Sequence, residues 1–350
     1  MRPSLFFTTS LSLSPHLLLL HSRIVRGLSS SSTALHSISR SNDGTVIISP
    51  KDEAQHSATV VLCHGLGDTA NGWVEPTQYL ANKLPYVKWI LPTAPTQPVT
   101  LNMGMAMPSW YDIVGLDSRS SELCNGLDES MERILSLVEN EVSGVDSSTT
   151  TASACFNPLD YSRIVLAGFS QGGALALYTG MTQLRKQSNV GLGLGGITVM
   201  SGYLPRSKAF AIAAGSENTP ILHCHGEQDS VVPVQAAAVS KERVSSLLRE
   251  MGVGNENNSY EVKTYAGLDH SVSIDELNDV AAFLKRVIPP IARKTDDAQE
   301  EEVVVLAAVD PTKMSVRQLK AEIEKRGLKE EARGMLEKSD LVKLLLKNQK

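Results

Sequence analysis

The chain has 350 residues, 42% of them apolar and 20% charged, with a formal net charge of -5. That is ordinary for a globular protein with a large core, and it argues against a nucleic-acid partner for the chain as a whole. Four scattered cysteines (Cys63, Cys124, Cys155 and Cys224), with no CxxC pair, exclude a disulfide framework and a zinc site and read as reduced thiols.

Residues 1–42 contain no Asp or Glu but carry Arg2, Arg23, Arg26 and Arg40 among many serines and leucines. This is the composition of an organelle transit peptide, mitochondrial or plastid. A secretory signal around "SPHLLLLHS" and a plain extension are the alternatives. The segment is expected to stand outside the fold. No apolar run is long enough to cross a bilayer as a helix.

"GTVIISP" (44–50), "ATVVLCHG" (58–65) and "YVKWILP" (86–92) read as strands closed by turn residues. In "SELCNGLDESMERILSLVEN", Leu123, Leu127, Met131, Ile134, Leu135 and Val138 recur at steps of three and four, the pattern of a one-faced helix. The Ser/Thr-rich 146–158 has no periodicity and reads as an inserted loop. "YSRIVLAGF" is a strand buried on both faces, followed by a small-residue helix that packs closely on a sheet. "GGITVMSG" and "PILHCHG" are further buried strands. A helix from Val234 to Met251, the strand "SYEVKTYAG" and a helix from Ile274 to Val287 complete the series. Strands alternating with helices predict an α/β domain, a mainly parallel central sheet flanked by helices, over residues 43–292. An acidic linker (293–312) and a small helical module (313–350) follow.

Gly168-Phe169-Ser170-Gln171-Gly172 is G-x-S-x-G, placed after a strand and before a helix. In that setting the motif is a sharp turn that lifts a serine hydroxyl above the sheet, with glycines where side chains would clash. A serine needs a base, and the base an orienting acid. His270, in the loop "GLDHSV", is the expected base; His223 and His225 lie on or at the end of a strand. Asp229, at the carboxyl end of the "ILHCHG" strand, is the expected acid, with Glu227 as the alternative. Asp269 adjoins His270 in sequence and is badly placed to bond its ring. The developing oxyanion needs N–H donors, expected from Gln171 and from Leu66 in the Gly-rich loop "CHGLGDTANGW".

Together, "VLCHGLGDTANGW", "PTQPVTLNMGMAMPSWYDI", "IVLAGFSQGGALALYTG", "ILHCHGEQDSVVP" and "KTYAGLDHSV" resemble the acyl-protein thioesterase/lysophospholipase family of α/β-hydrolases, over residues 45–291. The resemblance implies an α/β-hydrolase fold, the triad Ser170, Asp229 and His270, and Leu66 and Gln171 as oxyanion donors. It also implies an acyl channel and S-acylated proteins or lysophospholipids as substrates in a cytoplasmic setting; the triad chemistry itself needs no cofactor or metal. The first 42 residues, the 146–158 loop and the last 60 residues depart from the family pattern.

Met103, Met105, Met107 and Trp110 in "LNMGMAMPSW" (101–110), which reads as a long loop, are candidates for the acyl channel, because flexible thioethers suit a floppy chain. The alternative is that they fill the protein's own core. Gly191, Gly193 and Gly196 match G-x-G-x-x-G but precede a strand instead of opening a helix, so no nucleotide site is expected. "LHCHG" gathers His223, Cys224 and His225, but alternation along a strand separates them, against a metal site.

Residues 313–350 hold eleven Lys/Arg and six Asp/Glu, a net +5. Ser315 and Gln318 form a capping-box pattern. Leu319 and Ile323 share one helical face, and Leu341, Leu344 and Leu345 mark a second helix. The outline resembles a SAP-type two-helix module, with a longer and more acidic turn. A protein or nucleic-acid partner for this module, with the rest as scaffold, is the rival to an enzymatic role for the chain.

Overall fold

The structure, a computed structural model, describes residues 35–115, 124–144, 158–185, 188, 190–253 and 260–291. In the C-terminal part it describes 319–320, 323, 328, 331 and 338–347. The chain divides into two compact units, Met1–Ile291 and Ala292–Lys350. The expectations for residues 1–34, for the Ser/Thr-rich loop up to residue 157 and for the linker lie outside the described residues.

The first unit is built on β1 (His36–Arg40), β2 (Val46–Pro50), β3 (Ala58–Cys63), β4 (Val87–Leu91), β7 (Ile164–Phe169), β8 (Gly196–Met200), β9 (Ile221–Gly226) and β10 (Tyr260–Tyr265). These eight strands form one sheet in the order β1-β2-β4-β3-β7-β8-β9-β10. From β4 to β10 every pairing is parallel; β2 runs antiparallel to both β1 and β4. β3, β7, β8 and β9 are buried along their whole length, as central strands covered on both faces must be.

Alternation along the strands feeds two cores. Val61, Ile164, Leu166, Ile197 and Val199 pack with α2 (Leu127–Ser143), α3 (Gln171–Thr182) and α4 (Gln235–Glu250). Val60, Leu62, Val165, Ala167 and Leu222 pack on the other face with α1 (Val74–Lys83) and α5 (Ile274–Val287). α3 is buried on almost every side. Its small residues let it lie against β7 closely enough to bring its N-terminus over the end of the strand.

Two expectations are corrected. The ordered domain begins before residue 43, because His36–Arg40 pairs antiparallel with Val46–Pro50 as an edge strand. The stretch around residues 96–108 is a hairpin, β5 (Thr96–Val99) with β6 (Met105–Pro108), and not a loop. In the second unit, α6 (Lys338–Lys347) places Leu341, Leu344 and Leu345 in one small core with Leu319 and Ile323. Among the described residues no helix is long and apolar enough to cross a membrane.

Candidate active site

β7 ends at Phe169 and α3 starts at Gln171, so Ser170 is the single residue between strand and helix. Its backbone lies at φ 53°, ψ -118°, a conformation that costs a non-glycine residue about 1–3 kcal/mol. The turn is held from both sides: Ser170 N–H donates to the Met200 carbonyl at 2.8 Å, and Ala174 N–H donates to the Ser170 carbonyl at 3.0 Å. The motif glycines make room. A Cβ at Gly168 would strike the backbone of Gly172 and Gly173, and one at Gly172 would strike the carbonyls of Cys63 and His64 at the end of β3.

Asp229 and His270 arrive from the loops after β9 and β10. A Cβ at Gly226 would meet the carbonyls of Leu268 and Asp269, so glycine there lets the two loops touch. His270 Nδ1 lies 2.7 Å from Asp229 Oδ2, and its Nε2 lies 3.0 Å from Ser170 Oγ. A carboxylate only accepts, so Nδ1 carries the proton and Nε2 offers its lone pair to the Ser170 O–H. The Phe169 ring backs the imidazole at 4.8 Å between centroids and is itself backed by Trp73 at 5.4 Å.

Asp229 Oδ1 accepts the N–H groups of Val231 (2.9 Å) and Val232 (2.8 Å). Burial pushes this carboxyl up, but hydrogen bonds from His225, His270 and the Val232 N–H hold it well below the usual carboxylate range. It therefore stays ionised. Glu227 instead takes the Thr264 hydroxyl at 2.8 Å, and Asp269 takes the Ser271 hydroxyl. Of the three acids weighed, Asp229 is the one on His270.

The Leu66 N–H makes no hydrogen bond among the described residues, whereas Gly67 N–H is taken by the Pro108 carbonyl at 2.8 Å and Asp68 N–H by the Gly65 carbonyl at 3.2 Å. Gln171 opens α3, where an N–H has no partner within the helix. Both expected donors are thus open to a ligand.

Sequence reasoning gave Gln171 only its backbone. Its side chain also accepts the Trp110 N–H (3.0 Å) and donates to the Tyr111 carbonyl (2.7 Å) and Ser109 hydroxyl (3.0 Å). It ties residues 109–111 to the turn bearing Ser170. His64 was missed as well. It accepts the Ala94 N–H at Nε2 (3.0 Å), which leaves Nδ1–H for the Gly65 carbonyl (2.7 Å) and fixes the start of the Gly-rich loop.

The four acyl-channel candidates differ widely in exposure. Trp110 is a buried residue that donates its indole N–H to the His64 carbonyl at 2.8 Å. Met103 and Met105 sit at the hairpin tip, 95% and 62% exposed. Met107 is half-buried beside the Gly-rich loop, its Sδ 3.7 Å from where a Cβ of Gly67 would stand. On β9, His223 and His225 share a face, with ring centroids 5.6 Å apart, while Cys224 turns to the Tyr265 hydroxyl at 3.3 Å. Among the described residues no three ligating side chains gather as a metal site.

Glu276, fully buried, completes the capping box of α5 with Ser273, and its Oε1 has no hydrogen-bond partner. Burial pushes its carboxyl up to about 8; the Ser273 N–H opposes this, and the charges of Asp229 and Asp279 add to it. Between about 4.5 and about 8 the native protein holds a proton that the unfolded chain releases. Stability is therefore lost as pH rises through that window. Glu276→Gln cannot ionise and is expected to be the more stable protein at pH 8, by on the order of 1–3 kcal/mol. The gap should shrink towards pH 4.5 in thermal melts; an equal gap at both pH values would contradict the assignment.

Residues 42–288 match the model of the family described as Phospholipase/Carboxylesterase. The chain is 36% identical over 250 residues to Acyl-protein thioesterase 1 of Mycosarcoma maydis, covering 70% of this chain and 97% of that protein. It is 38% identical over 250 residues to Acyl-protein thioesterase 1 of Gibberella zeae, covering 68% and 93%. Among solved structures it resembles Arabidopsis thaliana SOBER1, with TM-score 0.51 and 28% identity over 66% of this chain and 99% of that one. It also resembles Zea mays acyl-protein thioesterase 2, with TM-score 0.51 and 28% identity over 70% and 98%.

Proposed function

This chain belongs to the phospholipase/carboxylesterase family and is a hydrolase, and on that premise we propose that it cleaves the acyl thioesters of S-acylated proteins with Ser170, His270 and Asp229. The observation that carries the reading is the unbroken line from Ser170 Oγ through both nitrogens of His270 to Asp229. Ser170 Oγ attacks the acyl carbonyl as its proton passes to His270 Nε2. Asp229 keeps the Nδ1 proton in place and stabilises the imidazolium. The N–H groups of Leu66 and Gln171 receive the oxyanion, an interaction stronger in the transition state than in the ground state. Collapse expels the thiolate, which takes the proton from His270 and leaves an acyl-serine. Water then gives a proton to His270 as its oxygen attacks the acyl carbon, and collapse releases the carboxylic acid while His270 returns that proton to Ser170 Oγ. Every proton is accounted for without a cofactor.

The thioester preference is supported by the relatives named acyl-protein thioesterase. Met107, beside the Gly-rich loop, supports an acyl chain running along that side of the site. The test offers the full chain a palmitoyl-cysteine peptide, the matching palmitoyl-serine peptide and a lysophospholipid. The thioester is expected to show the highest kcat/KM. Faster turnover of the lysophospholipid would assign the same residues to lysophospholipase work, and release of acid from none of the three would refute the reading.

The mixed charge of residues 313–350, eleven basic beside six acidic side chains, supports a partner-binding role for the second unit, with protein preferred to nucleic acid. The acid-free start of the chain supports an organellar address as the alternative to the cytoplasmic one. Any cleavage there must fall before His36 to leave β1 in the sheet.

A further inference from the structure

The "LHCHG" strand carries more than a segment of the sheet. His225 is fully buried at the end of β9, four residues before Asp229. Its Nε2 lies 2.8 Å from the Val232 carbonyl and 3.4 Å from Asp229 Oδ2. Both neighbours are acceptors, so Nε2 must carry the proton. Nδ1 is then a bare acceptor. It faces His223 Nε2 at 3.4 Å, which must donate, and His223 Nδ1 in turn takes the Tyr260 hydroxyl at 2.9 Å. Burial, with the nearby His225, pushes His223 down to about 3, so that ring stays neutral. A line of contacts thus runs from Tyr260 through His223 and His225 to the turn bearing Asp229, and His223 also bonds the Gly202 backbone.

We propose that His225 is a positioning residue for the acid of the triad, clamping the 229–232 turn to β9 and holding Asp229 Oδ2 in line with His270. The proposal rests on the reading that Ser170, His270 and Asp229 do the chemistry. Asp229 has one oxygen pinned by two backbone N–H groups. The other oxygen, the one that orients His270, is steadied from the protein side by His225. The Asp229 and His225 side chains are both at 0% exposure, so water cannot replace a lost donor, and bonds in such a setting reinforce one another. Losing the His225 N–H would leave the Val232 carbonyl unsatisfied and let the carboxylate swing. The reacting groups are misaligned by such a change, while substrate contacts are not.

The test compares His225→Leu, His225→Gln and Tyr260→Phe in the full chain, by kcat and KM on an activated nitrophenyl ester and by thermal unfolding. Leucine fills the space without a donor, while glutamine places an amide N–H near the Nε2 position. The expected result is a fall in kcat of about tenfold or more for His225→Leu at unchanged KM. Glutamine should restore kcat to within about threefold of the wild type. Tyr260→Phe should lower kcat by about two- to fivefold, also at unchanged KM. Wild-type kcat in His225→Leu, or equal loss of kcat in the leucine and glutamine variants, would overturn the proposal. Should the leucine variant not fold, the other two decide: a tenfold loss in His225→Gln, or no change in Tyr260→Phe, would overturn it. Ser170→Ala serves as the control. Full activity in that variant would remove the triad reading itself, whereas an inactive Ser170→Ala beside an unaffected His225→Leu would remove only the role of His225.

Discussion

Ser170→Ala is expected to lower kcat on any acyl ester or thioester by about four orders of magnitude or more. KM and the unfolding temperature should change little. The reason lies in the local geometry. The Oγ stands at the carboxyl end of a fully buried strand, in a strained turn, with its proton directed at an imidazole that is itself oriented by an ionised carboxylate. Among the described residues, nothing else in the site offers a nucleophile with a base in hydrogen-bond reach. Among the described residues the free thiols Cys63, Cys124 and Cys224 are all buried, and burial pushes Cys63 up to about 12, so none can substitute as a thiolate. Steady-state rates on one activated ester, with circular dichroism of both proteins, check this. A residual rate within tenfold of the wild type, in a folded variant, would remove Ser170 from the mechanism.

Gly172→Ala is expected to damage the fold severely. The new Cβ would be driven into the carbonyls of Cys63 and His64, at the end of β3. Both carbonyls belong to rigid backbone at the sheet's centre, so neither can give way as a side-chain tip could. Either α3 lifts from the sheet or the Gly-rich loop moves. The cost is expected at about 3 kcal/mol or more. Denaturant titration should show a lower midpoint at unchanged slope, and activity should fall too, because α3 carries the Gln171 N–H. A midpoint equal to the wild type would show that the contact between α3 and β3 is looser than described.

Much of this arrangement was legible in the sequence, for a physical reason in each case. The turn at Ser170 is a local event: a buried apolar run, a glycine-flanked serine and a small-residue helix are contiguous. The order serine, acid, histidine then follows from strands whose carboxyl ends lie on one edge of a parallel sheet. What stayed hidden depends on distant contacts. β1 is five residues, "HSISR", only partly buried at a sheet edge and embedded in a polar, acid-free stretch. The β5–β6 hairpin carries Pro98 and a turn through Met103 and Gly104, both at positive φ, which read as loop. The Gln171 side chain finds its partners about sixty residues back in the chain. Glu276 looks like an ordinary capping-box residue; only packing reveals that it is buried.

The central claim is that Ser170 carries the acyl group between the two half-reactions. The full chain would be mixed with an activated long-chain ester, quenched in acid before one turnover is complete, and weighed intact. The account predicts a species heavier by one acyl group, mapping to the peptide that contains Ser170 and absent from Ser170→Ala. Hydrolysis proceeding with no such species at any quench time, or an acyl group on another residue, would contradict it.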